Sequence, residues 1–220
     1  MAAATWWVLG AAVAAVSAAA IQLALRQPEH GRLLWIGCLL VCGVAMWHDT
    51  ATRRIPNRLT YPAILIGLLF NALLPPLFEV AGLAEANLFL GATGPRDGFL
   101  GFGLCAIIGL VSFLVRGLGG GDVKLLGVLG AMLGLGGVLP VLFNTLIVAA
   151  VVGLGNWAIR GTLVARLRVV AQRSLAAVMT RDLGTELYPF ARSEAPFGLA
   201  VFLGLALSPF VELHRFLGLT

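Results

Sequence analysis

Residues 125–159 of this chain contain no Asp, Glu, Lys or Arg, and neither do 2–25, 33–48, 59–78 or 98–115. Stretches of that length cannot all be hidden inside a water-soluble domain, but they approach or exceed the requirement of a bilayer. A helix needs about 20 mainly apolar residues, with a lower limit near 17, to cross a hydrocarbon core of about 30 Å. The longest run exceeds one crossing and contains Pro140, so it reads as two short helices interrupted there. Together with 196–214, the chain is expected to make about seven spans (six to eight). The fold class is therefore all-α, a polytopic transmembrane helix bundle, with residues 1–220 forming a single membrane-embedded domain in contact with the lipid bilayer. Charged residues make up 11% of the chain and hydrophobic residues 60%, whereas a soluble domain carries roughly 25% charged residues.

Ser17-Ala18-Ala19-Ala20 resembles a signal-peptide cleavage region. No basic n-region precedes it, and the apolar stretch is longer than a usual h-region. Residues 2–25 are accordingly taken as the first span.

The net charge of +5 bears on topology rather than on nucleic acid, which is not expected as a partner. Short cytoplasmic loops collect Lys and Arg. With seven spans and a cytoplasmic N-terminus, the cytoplasmic side holds Arg53, Arg54, Arg58, Arg116, Lys124, Arg160, Arg166, Arg168, Arg173, Arg181 and Arg192. The other side holds Arg26, Arg32, Arg96 and Arg215, so 11 + 4 accounts for all 15 basic residues. Loops 49–58 and 116–124 then share the cytoplasmic face. Loop 79–98 is expected as an exposed connector with a short surface helix over 79–90. Segment 161–181 alternates polar and apolar positions with a period of three to four, as an interfacial amphipathic helix does.

Cys38, Cys42 and Cys105 all lie in apolar runs and read as small buried side chains. No Cys-x-x-Cys pair exists, and no metal site is expected. His-Glu-x-x-His, a phosphate-binding Gly-x-x-x-x-Gly-Lys-Ser/Thr and a Gly-x-Ser-x-Gly elbow are all absent from the chain, which argues against zinc, nucleotide and serine chemistry.

Two of the ten acidic residues stand apart. Asp49 follows Val44-Ala45-Met46-Trp47-His48 at the end of the second expected span, and Asp122 follows Gly119-Gly120-Gly121 at the start of the fifth. Ionisable groups at membrane depth are costly and point to function. Taken singly, Asp122 also suits an N-cap and Asp49 also suits an ion pair with Arg53; His48 reads as structural. Taken together, two carboxylates at one bundle end can share a proton and titrate as a unit. The charged member can then take a proton from water while the protonated one polarises a carbonyl. The glycines before Asp122 would let a substrate backbone approach closely.

These residues resemble a known family. Asp49-Thr50-Ala51-Thr52-Arg53-Arg54-Ile55-Pro56-Asn57 is similar to the Asp-x5-Ile-Pro-Asp/Asn element of type IV prepilin peptidases. Gly119-Gly120-Gly121-Asp122-Val123-Lys124 is similar to their Gly-x-Gly-Asp-x-Lys element. Both occur in the right order, with the aspartates 73 positions apart. Pro196-Phe197-Gly198 resembles a further Pro-Phe-Gly element, with Leu199 where a second proline is frequent.

The resemblance implies an aspartic endopeptidase of the cytoplasmic (inner) membrane. It would remove the short basic leader from prepilin or pseudopilin precursors at the cytoplasmic face, without a cofactor. Asp49 and Asp122 would be the catalytic pair, with Ile55, Pro56, Asn57, Gly119, Gly121 and Lys124 shaping the site. Asn57 suits the N-cap of the third span. Lys124 is not expected to pair directly with Asp122, because positions two apart on a helix do not face each other. Longer members carry a cytoplasmic Cys-rich domain linked to N-methylation. This chain has no such domain, and resembles the short, peptidase-only type of tight-adherence (Flp) systems. The competing classes are a small proton-coupled transporter, since buried acids and broken helices also mark transport sites, and a non-catalytic membrane assembly protein.

Overall fold

A computed structural model describes residues 32–52, 54–83, 87, 90–114, 118–159, 161, 164–165, 168–169, 172 and 197–208. Its elements are helices: α1 (Arg32–Thr52), α2 (Asn57–Val80), α3 (Pro95–Leu114), α4 (Gly120–Ile159) and α5 (Phe197–Leu207). The first four are long and apolar enough to cross a membrane, and α5 is a shorter apolar helix. The expected first span over 2–25 lies outside the described residues, as do most of the interfacial segment 161–181 and the end of 196–214. α2 runs on to Val80 before a turn at Ala81 and Gly82, Asn87 and Leu90 are helical, and much of the surface helix expected over 79–90 lies outside the described residues.

The end of α1 and the starts of α2 and α3 are set locally. The last turn of α1 is wrapped by its own threonines: Thr50 Oγ1 donates to the carbonyls of Met46 and Trp47, and Thr52 Oγ1 to those of His48 and Arg54. Ile55-Pro56 then forbids continuation, because a residue before proline is driven out of the α region. Pro56 itself is extended (φ −70°, ψ 133°) and is the N-cap of α2; its carbonyl accepts from the N–H groups of Leu59 and Thr60. Asn57 is therefore the first helical residue and not the cap expected of it, and its side chain is used elsewhere. Pro95 opens α3, at the position where a missing N–H costs nothing.

α4 is the hub and packs on all four other helices. Its buried residues Leu125, Val128, Leu129 and Met132 meet Cys38, Leu39, Cys42 and Met46 of α1 and Val201, Phe202 and Leu205 of α5 in one core. Against α3 the contact is made by glycines: a Cβ on Gly130 would strike the Gly101 carbonyl, and one on Gly101 would lie 2.6 Å from the Gly130 carbonyl oxygen. Helices in lipid gain little from excluding water and associate through such close approach of small residues.

The long apolar run does consist of two helices, but they meet at Gly134 (φ 68°, ψ −178°) and not at Pro140. The reason is long-range. A break leaves the carbonyls of the preceding turn without intrahelical partners, and Asn71 of α2 supplies them: its Nδ2 donates to the carbonyls of Ala131 (2.8 Å) and Met132 (3.3 Å), and also to that of Gly67 in its own helix (3.1 Å). Its Oδ1 accepts from the N–H and hydroxyl of Thr93. Only glycine fits at the break, since any Cβ there would collide with Asp97 Oδ2 and Thr93 Oγ1. The second half of α4 lies beside α5, where Thr145 packs directly on Gly204.

Candidate active site

The segment joining α1 to α2 and the start of α4 come together at one end of the bundle. Ile55 packs on Gly121, where an added Cβ would lie 3.2 Å from the isoleucine Cβ. Lys124 Nζ donates to Asn57 Oδ1 at 2.7 Å and lies 5.2 Å from the centre of the Tyr61 ring, within cation–π range. So residues from the two sequence elements interlock: Ile55 and Asn57 from the first meet Gly121 and Lys124 from the second. The glycine run was expected to admit a substrate backbone. Gly121 is instead occupied by Ile55, and Gly119 serves the helix start.

Asp49 and Asp122 belong to this end. Asp49 sits one turn before the end of α1 and is buried, 9% exposed. Its Oδ2 accepts from the backbone N–H of Gly198, in the first turn of α5, at 3.3 Å. Glycine eases that approach, because a Cβ on Gly198 would stand in tight contact, 3.3 Å from both Asp49 Oδ2 and the Met46 Cα. Gly198 was not among the residues expected to build the site; the Pro-Phe-Gly resemblance was the only signal for it.

Asp122 is half-buried in the first turn of α4. The cap position is held by Gly119, whose carbonyl accepts from the N–H groups of Asp122 and Val123. Asp122 Oδ2 reaches back to accept from the Gly119 N–H at 3.0 Å. The N-cap reading of Asp122 is thus replaced by half of a capping box, which uses one oxygen and leaves the other available. Asp49 and Asp122, 73 positions apart in sequence, thus stand at the same end of the bundle on separate helices. Arg53, the alternative partner of Asp49, lies outside the described residues. Among the described residues, no group of three or more His, Cys, Asp or Glu side chains could hold a metal ion.

A family model for type IV leader peptidases matches residues 36–154, more than half of the chain. The chain belongs to the type IV leader peptidase family. No curated protein and no solved structure matches it. The matched stretch includes Asp49, Asp122 and the interlocked residues of both elements, while Gly198 of α5 lies beyond it. Family membership makes this a peptidase, and its four span-length apolar helices make it membrane-embedded.

Proposed function

We propose that this leader-peptidase family member is an aspartic endopeptidase that removes the short basic leader of prepilin-like precursors, with Asp49 and Asp122 as its catalytic pair. The observation that supports the proposal is the placement of these two carboxyls, on separate helices, at one end of the bundle, each already held by a glycine N–H. Two carboxyl groups in electrostatic contact favour the state with one shared proton.

The chemistry follows from that state. The ionised carboxylate takes a proton from a water molecule as the water oxygen bonds to the scissile carbonyl carbon. The protonated carboxyl hydrogen-bonds the carbonyl oxygen. When the C–N bond breaks, the departing amine takes up a proton from the pair, and one peptide bond and one water have become a carboxylate and an amine. General acid–base catalysis of this kind contributes about 10²- to 10⁴-fold. The Lys124–Asn57 hydrogen bond and the Ile55–Gly121 contact tie the two aspartate-bearing segments together, which fixes the separation of the pair.

In this reading the chain has about seven spans with a cytoplasmic N-terminus in the inner membrane, and the pair works at the cytoplasmic face, where water is at hand. The balance of basic residues supports that orientation. The substrates would be prepilins or pseudopilins, and no cofactor is required. A transporter is less well supported, because the carboxyls stand at helix ends and the break in α4 has its carbonyls occupied by Asn71.

Co-expression with a prepilin precursor, followed by gel shift, tests the proposal. Wild type is expected to shorten the precursor, whereas Asp49→Asn and Asp122→Asn leave it full-length at equal membrane levels. Leader removal by either variant would contradict the assignment of that aspartate.

A further inference from the structure

Thr60 is fully buried, at 0% exposure, yet its hydroxyl has no hydrogen-bond partner. Helical threonines often bond back to a carbonyl of the preceding turn, as the less buried Thr50 and Thr52 do, whereas the buried hydroxyls of Thr60 and Thr145 do not. Thr60 lies on the side of α2 that faces α4. Asn57, three residues before it, is bonded to Lys124, while Ile64 and Gly67, four and seven residues after it, pack against Gly127 and Ala131.

Its depth matches that of the aspartates. Asp49 is three residues from the end of α1, Thr60 three from the start of α2 and Asp122 two from the start of α4. At about 1.5 Å per residue, all three lie within roughly a turn of the same bundle end. The two carboxyls each have one oxygen, Oδ2, held by a glycine N–H. A dyad of this kind acts on a water, and a water needs two to four polar partners to be held in a buried place.

We propose that the Thr60 hydroxyl is the third polar group of the site and hydrogen-bonds the water that Asp49 and Asp122 activate. This rests on the aspartic-peptidase reading above. The hydroxyl accepts or donates one hydrogen bond to that water while the ionised carboxylate accepts the other. Thr60 thereby orients the attacking oxygen without taking up its proton. It is a catalytic residue in the sense that it touches a reacting atom.

The test uses the full-length protein in nanodiscs, a prepilin precursor, and the variants Thr60→Val and Thr60→Ser beside Asp49→Asn. Valine keeps the shape and removes the hydroxyl. If Thr60 only fills space, valine is neutral or mildly stabilising, because an unpartnered buried hydroxyl has been removed. The proposal instead expects Thr60→Val to lower kcat by about 10- to 100-fold, the range of one hydrogen bond to a charged group. KM and the melting temperature should stay close to wild type, and Thr60→Ser should restore most of kcat. Thr60→Val cleaving at the wild-type rate while Asp49→Asn is inactive would overturn the role of Thr60 alone. Cleavage by Asp49→Asn would overturn the dyad reading and this proposal with it. Should the valine variant fail to accumulate, Thr60→Ser against Thr60→Ala makes the same comparison, and equal rates for those two would overturn the proposal.

Discussion

Two polar clusters of the bundle, around Asn71 and around the aspartates, are built in opposite ways. At the Asn71 cluster the polar groups are saturated: one carboxamide donates to three carbonyls and accepts from both the N–H and the hydroxyl of Thr93. At the aspartate end they are not. Each of the two carboxyls accepts one backbone hydrogen bond and a buried threonine hydroxyl holds none. A polar network with every partner in place rigidifies a fold, whereas leaving buried polar groups unmatched costs free energy that is tolerated where function requires it. The first cluster fixes where α4 breaks, and the second keeps hydrogen-bonding capacity that the neighbouring described residues leave unused.

This contrast can be broken by substitution. The largest structural effect is expected from Gly130→Leu. It drives a side chain into the backbone of Gly101 at the tightest helix crossing, and overpacking of this kind costs about 1–3 kcal/mol or more. Folded protein recovered after detergent extraction should fall sharply, and a normal yield would show that the α3–α4 contact is softer than described. A smaller effect follows from Asn71→Ala, which leaves buried carbonyls at the break without a donor, at about 1–3 kcal/mol. Thermal unfolding in detergent should come at lower temperature, while leader cleavage per folded molecule stays near wild type. Loss of cleavage with unchanged stability would mean that this cluster is not merely architectural. The smallest effect is expected for Lys124→Met, which removes a partly exposed hydrogen bond and a cation–π contact, each worth about 0.5–1 kcal/mol. Stability should barely move, and kcat should fall by about tenfold or less because the two aspartate-bearing segments are less firmly tied. A loss as large as that of Asp122→Asn would give Lys124 a direct role in the chemistry.

Much of this architecture was legible in sequence, for reasons that are physical. A bilayer imposes long apolar helices, so α1 to α4 were visible as uncharged runs, and the placement of Asp49 and Asp122 at helix ends followed from where those runs stop. What escaped was set by partners far away in the chain. Pro140 is the stronger local helix breaker, yet the break falls at Gly134, because Asn71 caps the open carbonyls and Thr93 and Asp97 leave no room for a side chain. Asn57 has the composition of an N-cap, but Lys124, 67 positions away, engages its side chain. Gly198 contributes a backbone group 149 positions from Asp49, which only a weak motif resemblance hinted at. Tyr61 beneath Lys124 carried no signal at all.

The central claim is that Asp49 and Asp122 act as one unit, and a double-mutant cycle on leader cleavage tests it most directly. Residues that act as a unit are grossly non-additive. Asp49→Asn, Asp122→Asn and the double variant are therefore expected to fall to about the same residual rate. Two partial losses that multiply in the double variant would mean that the aspartates contribute independently, and the shared-proton mechanism would be wrong.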